Sequence, residues 1–212
     1  MDLAAMREQY ERAGLDVGDL DPDPVAQFRR WFDEWLATEP YDASSMVLAT
    51  VDPDGWPAAR AVLLKGIDER GFSFFTNRTS DKGRDLAASP RAALTFVWAV
   101  LERQVRVVGD VTVMPDDESD AYFARRPRES RLGAWASDQS SVVADRATLE
   151  ALVGEAETGF STDVPRPPHW GGYVVAPRSI EFWQGRPNRI HDRLRYRRDD
   201  ESSSWIVERL AP

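Results

Sequence analysis

Residues 45–76 read SMVLATVDPDGWPAARAVLLKGIDERGFSFFT, and this stretch decides the fold class. It holds three short runs rich in β-forming residues, at 46–51, 59–67 and 72–76. The runs are separated by the turn sequences at 52–55 and 68–71, each ending in a glycine that can take a positive φ. This pattern predicts antiparallel strands joined by hairpins.

The same pattern continues towards the C-terminus. Further strands are predicted at 92–98, 105–113, 172–175, 179–184, 193–197 and 205–210. Helices are predicted at 81–88, near 116–125 and at 144–158. Because most strands follow one another without long helices between them, the fold class is mainly β with flanking helices. A closed or nearly closed antiparallel barrel is favoured over a doubly wound sheet.

The N-terminal region predicts one helix preceded by a weakly patterned arm. Residues 21–24 read DPDP, a capping carboxylate followed by a proline that suits the first helical turn. The apolar positions that follow at helical spacing, and are expected to pack on the core, are Phe28, Trp31, Phe32, Trp35 and Leu36. Residues 1–20 are predicted to be a mobile arm, residues 21–212 a single domain, and residues 161–168 an ordered loop.

Composition limits the possible partners. The net charge of −9 argues against a general affinity for nucleic acid, which needs a basic face. No apolar stretch is long enough to span a bilayer, so no membrane partner is expected. The first residues lack the pattern of a secretory signal and the chain has no cysteine, so a soluble cytoplasmic protein is expected.

Several common sites have no support in the sequence. The absence of cysteine and the separation of the two histidines, His169 and His191, leave no metal site to predict. A Ser-His-Asp hydrolase is not excluded by counting, but the sequence has no Gly-x-Ser-x-Gly elbow. The glycine-rich loops that bind phosphate through backbone amides are also missing. Any phosphate must therefore be held mainly by side chains.

Arginines are clustered in this acidic chain. Four fall between residues 125 and 131, and six fall between residues 186 and 198. Such clusters suit small anionic ligands, because guanidinium groups match phosphate oxygens in pairs. A solvated charged face is the alternative, and it is the favoured one for any single cluster.

Two segments offer phosphate donors. Arg60 and Lys65 lie an odd number of residues apart, which places them on opposite faces of a regular strand, where they could serve two ligands or one could be at the surface. Tyr122, Arg126 and Ser130 are spaced by four, with Pro127 expected to end the helix. Together they form a donor set for a monophosphate, and a capped helix end with surface arginines is an equally supported alternative.

A third segment combines aromatic and basic residues. Trp183-Gln184-Gly185 is followed by residues 189–193, which read RIHDR. These side chains could form an aromatic and cationic wall around a flat anionic cofactor. A lone histidine such as His191 is more often structural than catalytic, and spacing alone does not decide between the two.

Taken in order, these segments resemble one family. The motifs are RAVLLK (60–65), FFTN (74–77), LERQV (101–105), YFARRPRES (122–130), LGAWASDQSS (132–141), WGGY (170–173), IEFWQG (180–185), RIHDR (189–193) and RLAP (209–212). The chain resembles the pyridoxine/pyridoxamine 5'-phosphate oxidase family along nearly its whole length.

The resemblance implies a split β-barrel that binds FMN at a homodimer interface, each site being built by two subunits. The residues implied for FMN are Arg60, Ala61, Val62, Leu63, Leu64, Lys65, Phe75, Thr76, Lys82, Gln104, Gln139, Ser140, Trp183 and Arg193. Those implied for the substrate are Arg7, Tyr10, Lys65, Tyr122, Arg126, Ser130, Arg189, Ile190 and His191. The arm that carries Arg7 and Tyr10 could then close over the site as a lid.

The implied activity is oxidation of pyridoxamine or pyridoxine 5'-phosphate to pyridoxal 5'-phosphate. Dioxygen would be the acceptor, and the products would include hydrogen peroxide, with ammonia from the amine. Arg189 and His191 are the expected catalytic residues, and Arg193 and Gln104 are expected to stabilise the reduced flavin. Two alternatives are a related flavin oxidase of phenazine biosynthesis and a non-catalytic protein that binds flavin or pyridoxal phosphate.

One position departs from the family pattern. Where many relatives have Arg-Lys at the FMN phosphate, this chain has Asp81-Lys82. A carboxylate would repel the phosphate, so Asp81 is expected to lie outside the site. Either Arg78 or Arg84 would then turn inward, FMN would bind more weakly, or Asp81 would cap the helix from outside.

Overall fold

The computed structural model describes residues 10–200 and 202–212, and Arg7 lies outside these residues. Its centre is one antiparallel sheet. The nine strands of the described chain are β1 (Ser45–Val51), β2 (Pro57–Leu63), β3 (Gly66–Asp68), β4 (Gly71–Asn77), β5 (Arg91–Trp98), β6 (Arg103–Val113), β7 (Trp170–Gln184), β8 (Asp192–Arg197) and β9 (Ile206–Arg209). The helices are α1 (Pro24–Leu36), α2 (Asp81–Ala88), α3 (Asp116–Ala124), α4 (Arg128–Ala136) and α5 (Arg146–Gly159).

Strand β7 determines how the sheet curls. One of its edges pairs with β6, from Tyr173 to Gln184. Its other edge pairs first with β4, up to Val175, and then with β8, from Ser179 onwards. Because β4 and β8 occupy different halves of one edge, the sheet divides at this point. This arrangement confirms the predicted antiparallel split barrel.

Both predicted hairpins are present. The turn at 52–55 joins β1 to β2, and Gly55 has a φ of 90°. The turn at 68–71 joins β3 to β4, and Gly71 has a φ of 131°. A Cβ atom at Gly71 would lie 2.1 Å from the carbonyl oxygen of Val175, so this position needs glycine for space as well as for its backbone angle.

Helix α1 closes one side of the core. Asp23 caps it, with the carboxylate accepting a hydrogen bond from the backbone N–H of Val25 at 2.9 Å, and Pro24 begins the helix as predicted. Phe28 and Trp31 are buried against the aromatic rings of the sheet. The other predicted core positions behave differently: Phe32 and Trp35 are half-buried, and Leu36 is 43% exposed. The prediction for Leu36 was wrong because the helix ends there.

Three sequence predictions need correction. The run at 59–67 is two strands, because the chain leaves the sheet after Leu63 and re-enters at Gly66. The runs at 172–175 and 179–184 form the single strand β7. Helix α4 was not predicted, since Pro127 was taken only as a helix end. Pro127 is the N-cap of the next helix, which begins at Arg128.

Two further features bear on partners. In the part of the chain that the structure describes, none of the helices combines the length and the apolar character that a bilayer crossing requires. Within the same residues, acidic, histidine and cysteine side chains form no cluster suited to a metal ion.

The packing of α1 gives a stability prediction. Phe28→Ala should lower the free energy of unfolding by about 3–5 kcal/mol, because Phe28 is fully buried among aromatic rings and its removal leaves a cavity. Leu36→Ala on the same helix is the control and should change stability by less than about 0.5 kcal/mol. Urea denaturation of both variants checks this. Equal losses would mean that the aromatic face of α1 does not anchor the core.

Candidate functional site

A cavity of about 860 Å³ is formed by residues from β2, β4, α2, α3, α4 and the start of β7. Its lining consists of Arg60, Ala61, Val62, Leu63, Lys65, Phe75, Thr76, Asn77, Lys82, Tyr122, Arg125, Arg126, Pro127, Ser130, Gly133, Ala134, Ser137, Gln139 and Trp170. This volume lies in the range of clefts that bind small molecules and cofactors.

The charge of the lining is one-sided. Five cationic residues line the cavity, namely Arg60, Lys65, Lys82, Arg125 and Arg126. Among the described residues that form its wall, none is an aspartate or glutamate. The chain as a whole carries a net charge of −9, so this cavity concentrates positive charge in an acidic protein. Such a site favours anionic ligands.

The end of β2 brings two of these cations together. The strand alternation that would separate Arg60 from Lys65 stops at Leu63, where β2 ends. Lys65 then bonds through its backbone N–H to the carbonyl oxygen of Ser73 at 2.8 Å. Both cations line the same cavity. Because Lys65 lies beyond the end of β2, the alternation expected of a regular strand does not extend to it. Leu64, between them, is buried in the core and does not line the cavity.

Lys82 lines the cavity and has two polar neighbours. Its Nζ donates to Gln139 Oε1 at 2.9 Å and to Ser80 Oγ at 3.2 Å. Thr76 Oγ1 donates to the same Gln139 oxygen at 3.0 Å. Burial lowers the pKa of Lys82, and the nearby positive charge of Arg60 adds to this effect. The charges of Asp81 and Asp85 offset these effects only in part, and an anion in the cavity would add counter-charge beside the lysine.

A stack of aromatic rings forms another part of the wall. Phe75 and Tyr122 lie parallel with centroids 4.0 Å apart, and Trp170 is parallel to Tyr122 at 6.1 Å. The guanidinium of Arg126 lies 4.7 Å from the centre of the Trp170 ring. Burial raises the pKa of Tyr122 and lowers that of Arg126. Among the described residues, the buried Nη1 of Arg126 has no hydrogen-bond partner, so a donor is left for a ligand.

The predicted phosphate donors meet in this cavity. Helix α3 presents Tyr122, the turn after it presents Arg126, and the first turn of α4 presents Ser130. Helix α3 ends at Ala124 and α4 begins at Arg128, so the three residues lie on two short helices and the turn between them, and not on one helix. Their shared wall favours the ligand interpretation over surface arginines at a helix end.

The first turn of α2 shows what Asp81 does. Ser80 caps the helix, its hydroxyl accepting from the backbone N–H of Gly83 at 3.4 Å. Asp81 is exposed and forms an ion pair with Arg84, which also donates to the carbonyl oxygen of Thr79. Arg78 lies 3.4 Å from Asp116. Asp81 thus lies outside the cavity as expected, but neither arginine turns inward and Asp81 is not the cap.

Ser140 lies beside this helix start. Its Oγ accepts a hydrogen bond from the backbone N–H of Asp81 at 3.2 Å, and its φ is 78°. It does not line the cavity of the protomer, whereas its neighbour Gln139 does.

The other predicted residues form a second cluster. The rings of Trp183 and His191 have centroids 4.6 Å apart, and Tyr10 contacts both rings edge-on. Gln104 and Arg193 flank Trp183 on the neighbouring strands β6 and β8. None of these residues lines the cavity.

A hydrogen bond, an ion pair and a positive φ angle also characterise this second cluster. The backbone N–H of Arg186 donates to His191 Nδ1 at 3.1 Å. Arg193 Nε donates to the buried carboxylate of Glu181 at 2.8 Å, which raises the pKa of Arg193. Arg189 has a φ of 62° and is exposed, as is Ile190. The catalytic and substrate roles of Arg189, Ile190 and His191 stay predictions.

Sequence reasoning missed part of the cavity wall. The additional lining residues include Asn77, Arg125, Gly133, Ala134, Ser137 and Trp170. Several belong to α4 or follow it, and that helix was not predicted. Trp170 begins the WGGY motif, so its stacking position could have been suspected.

Comparisons with known proteins agree with this geometry. The family described as pyridoxamine 5'-phosphate oxidase matches residues 32–158. The pyridoxine 5'-phosphate oxidase C-terminal dimerisation region matches residues 170–212. The chain is 59% identical over 210 residues to the pyridoxine/pyridoxamine 5'-phosphate oxidase of Ralstonia pickettii, with 99% of each chain covered. The Salinibacter ruber protein of the same name is 55% identical over 212 residues, again with 99% of each covered.

Solved structures extend the comparison. PhzG from Burkholderia lata, crystallised with tetrahydrophenazine-1-carboxylic acid, is 29% identical with a TM-score of 0.88 and covers 97% of this chain and 100% of its own. A pyridoxamine 5'-phosphate oxidase-related, FMN-binding protein of Nostoc punctiforme shares the fold. It is 19% identical with a TM-score of 0.70, and covers 91% of this chain and 100% of its own.

The fold, the cavity and these relatives define an oxidoreductase of the split-barrel class. The chain belongs to the pyridoxamine 5'-phosphate oxidase family, as the resemblance in its motifs predicts.

The burial of Lys82 gives a second prediction. Folding lowers the pKa of this ammonium, so below that pKa the buried charge costs stability. Lys82→Met should therefore raise the free energy of unfolding at pH 7 by about 1 kcal/mol, as removal of buried charge often does. Arg84→Met, which removes an exposed cation from the same helix, should leave stability nearly unchanged. Thermal unfolding at pH 7 checks both variants, and a clear loss of stability in Lys82→Met would contradict the account.

Proposed function

We propose that this chain oxidises pyridoxamine and pyridoxine 5'-phosphate to pyridoxal 5'-phosphate, with FMN as cofactor and dioxygen as acceptor. The observation that carries the proposal is one cavity, free of acidic lining residues, whose described wall holds two groups of phosphate donors on different elements. One group surrounds Lys82 and Arg60, and the other consists of Tyr122, Arg126 and Ser130. Two phosphorylated ring compounds need such a division.

The residues present fit FMN. Arg60, Thr76 and Lys82 are positioned to hold its phosphate, and Ala61 to Leu63 supply a mainly apolar wall beside them. Burial and the charge of Arg60 lower the pKa of Lys82 although Asp81 and Asp85 act in the opposite direction, and a phosphate beside it would favour its charged form. Gln139, which bridges Lys82 and Thr76, is a further candidate contact.

The substrate phosphate fits the second donor group. Arg126 offers an unused buried N–H, and Tyr122 and Ser130 offer hydroxyls. A charge-assisted pair with a phosphate would offset the desolvation of Arg126 that lowers its pKa. Lys65, on the same wall, can serve either ring compound.

The proposal includes a homodimer with FMN at its interface. The outer face of β1, β2 and β5 carries exposed apolar side chains, among them Val47, Leu63 and Val97. This face is continuous with the cavity, because Leu63 also lines it. The match of residues 170–212 to a dimerisation region supports the same assembly. A partner copy would then bring its cluster of Gln104, Trp183, His191 and Arg193 to the cavity.

In this mechanism the chain's own residues bind the substrate and orient its reacting end. Bound FMN would supply the redox chemistry, accepting a hydride from the C4' carbon of the substrate and passing the electrons to dioxygen, which gives hydrogen peroxide. Phosphate donors fix one end of the substrate, and this positioning lowers the entropic cost of reaction. Arg189 and His191 orient the reacting end, and Arg193 with Gln104 favours negative charge on the cofactor. The amine substrate gives ammonia after hydrolysis.

The proposal also covers the N-terminal arm, residues 1–20, and the location of the protein in the cell. Residues 1–20 act as a lid over a single domain of residues 21–212, and Tyr10 reaches the second cluster through the rings of Trp183 and His191. Residues 12 and 15 are hydrogen-bonded to the body of the domain through Glu102 and Asp192. The protein acts in the cytoplasm, without nucleic-acid or membrane partners.

A phenazine-type flavin oxidase is the second candidate. The 29% identity and TM-score of 0.88 to PhzG favour it over unrelated functions. The phosphate donors Tyr122, Arg126 and Ser130 argue against it, because a phenazine carboxylate has no phosphate to bind. A non-catalytic flavin or pyridoxal-phosphate binder would share the binding sites but give no product.

The direct test is anaerobic reduction of the bound flavin. Pyridoxamine 5'-phosphate added without oxygen should bleach the flavin absorbance of the holoprotein, and admission of air should restore it with formation of aldehyde. Pyridoxamine without phosphate is the control and should bleach far more slowly at equal concentration. Bleaching by a dihydrophenazine carboxylate alone would favour the second candidate, and the absence of any bleaching would leave only the binding protein.

The division of the cavity predicts a specific kinetic defect. Arg126→Ala should raise the KM for pyridoxamine 5'-phosphate by about tenfold to a hundredfold while FMN stays bound, because it removes a charge-assisted phosphate bond and no flavin contact. Arg84→Ala, an exposed arginine outside the cavity, should leave KM and flavin content unchanged. Steady-state kinetics and the flavin-to-protein absorbance ratio check this. Loss of flavin from Arg126→Ala would show that the division is wrong.

A further inference from the structure

A buried carboxylate lies behind Arg60. Asp85, on α2, is 5% exposed, and its Oδ2 accepts a hydrogen bond from Thr50 Oγ1 at 2.6 Å. Arg60 Nη1 donates to the same hydroxyl at 2.6 Å, and Arg60 Nη2 lies 3.6 Å from Asp85 Oδ2. A hydroxyl has one proton to donate, so the order of the chain is fixed: Arg60 donates to Thr50, and Thr50 donates to Asp85.

This chain of bonds uses only one side of the guanidinium. Within the described residues, all hydrogen bonds from Arg60 are made by Nη1, to Thr50 and to the carbonyl oxygens of Ala58 and Leu48. Among these residues its Nε has no hydrogen bond and its Nη2 has only the ion pair with Asp85 at 3.6 Å, so both can still donate to a ligand in the cavity that Arg60 lines. A long, flexible side chain held at one end by a buried carboxylate loses its rotational freedom before the ligand arrives.

The two carboxylates of α2 differ in their direction. Asp81 is exposed, is paired with Arg84 and does not line the cavity. Asp85 is buried, one turn further along the same helix, and faces the sheet through Thr50. A buried carboxylate is costly unless it is paired and hydrogen-bonded. Within the described residues, Asp85 accepts its hydrogen bond from Thr50 and pairs with Arg60, and the charge of Lys82 also acts on it. Its burial is therefore linked to the position of Arg60.

We propose that Asp85, acting through Thr50, is a positioning residue that holds Arg60 in place for the FMN phosphate. The inference rests on the proposed function, since it needs FMN in this cavity. It assigns a role to two residues that do not line the cavity themselves. A purely structural role, in which the Thr50–Asp85 bond only attaches α2 to β1, makes a different prediction.

The test compares two flavins that differ only in the phosphate. Apoprotein is titrated with FMN and with riboflavin, and the quenching of flavin fluorescence gives a Kd for each. Thr50→Val keeps every charge but breaks the chain of bonds, and should weaken FMN binding by about threefold to tenfold. Asp85→Asn should weaken FMN binding by about tenfold. Riboflavin binding should change by less than about twofold in both variants, because no phosphate is present.

Three controls sharpen the comparison. Thr50→Ser restores the hydroxyl and should return the FMN Kd to that of the original chain. Asp110→Asn alters a carboxylate that pairs with Arg178 away from the cavity, and should leave both Kd values unchanged. In an Arg60→Met background, Asp85→Asn should cause no further loss of FMN affinity, because the residue being positioned is gone.

The outcomes separate this inference from the proposed function. If the unaltered chain does not bind FMN, the proposed function and the inference both fail. If it binds FMN but Asp85→Asn and Thr50→Val weaken FMN and riboflavin equally, the bond is structural and the inference alone fails. Tighter FMN binding by Asp85→Asn would show that the carboxylate repels the phosphate, and would also overturn it. Should Asp85→Asn not fold, Thr50→Val decides.

Discussion

The central physical feature of the structure is the desolvation of cationic side chains in the wall of the cavity. Lys82 and Arg126 are buried at different places in the wall of one cavity, and burial lowers the pKa of both. The described lining contains no carboxylate to neutralise them. Such an arrangement costs free energy in the empty protein, and an anion at each place recovers it. The buried cations thus lower the stability of the fold at the places where anionic ligands would bind.

Several of the residues that line or support the cavity lie where a strand or helix ends. The end of β2 at Leu63 turns Lys65 towards the cavity that Arg60 lines, although strand alternation alone would separate them. Pro127 breaks one helix into two, which allows Tyr122 and Ser130 to face the same space. On α2, Ser80 caps the helix and Lys82 and Asp85 are buried, while Asp81 and Arg84 neutralise each other outside. The regular elements make the scaffold rigid, and residues at or near their ends contribute side chains to the site.

Much of this could be predicted from the sequence, and the remainder has identifiable physical causes. Turn glycines and alternating β-rich runs gave the antiparallel sheet, and the spacing of Tyr122, Arg126 and Ser130 gave a donor set that lines one cavity. Helix α4 escaped prediction because Pro127, which was taken only as a helix end, also caps the helix that follows it. The Arg60–Thr50–Asp85 chain joins residues 10 to 35 positions apart through tertiary packing, which no local pattern reports. The separation of the second cluster from the cavity likewise follows from the sheet order.

A crystal structure of the protein grown with FMN and pyridoxal 5'-phosphate tests the central claim most directly. The account predicts one phosphate within hydrogen-bond distance of Lys82 and Arg60, and the other within reach of Arg126, Tyr122 and Ser130. Both rings would lie in the same cavity. Density for both phosphates on one group of donors, or for either compound outside this cavity, would contradict it.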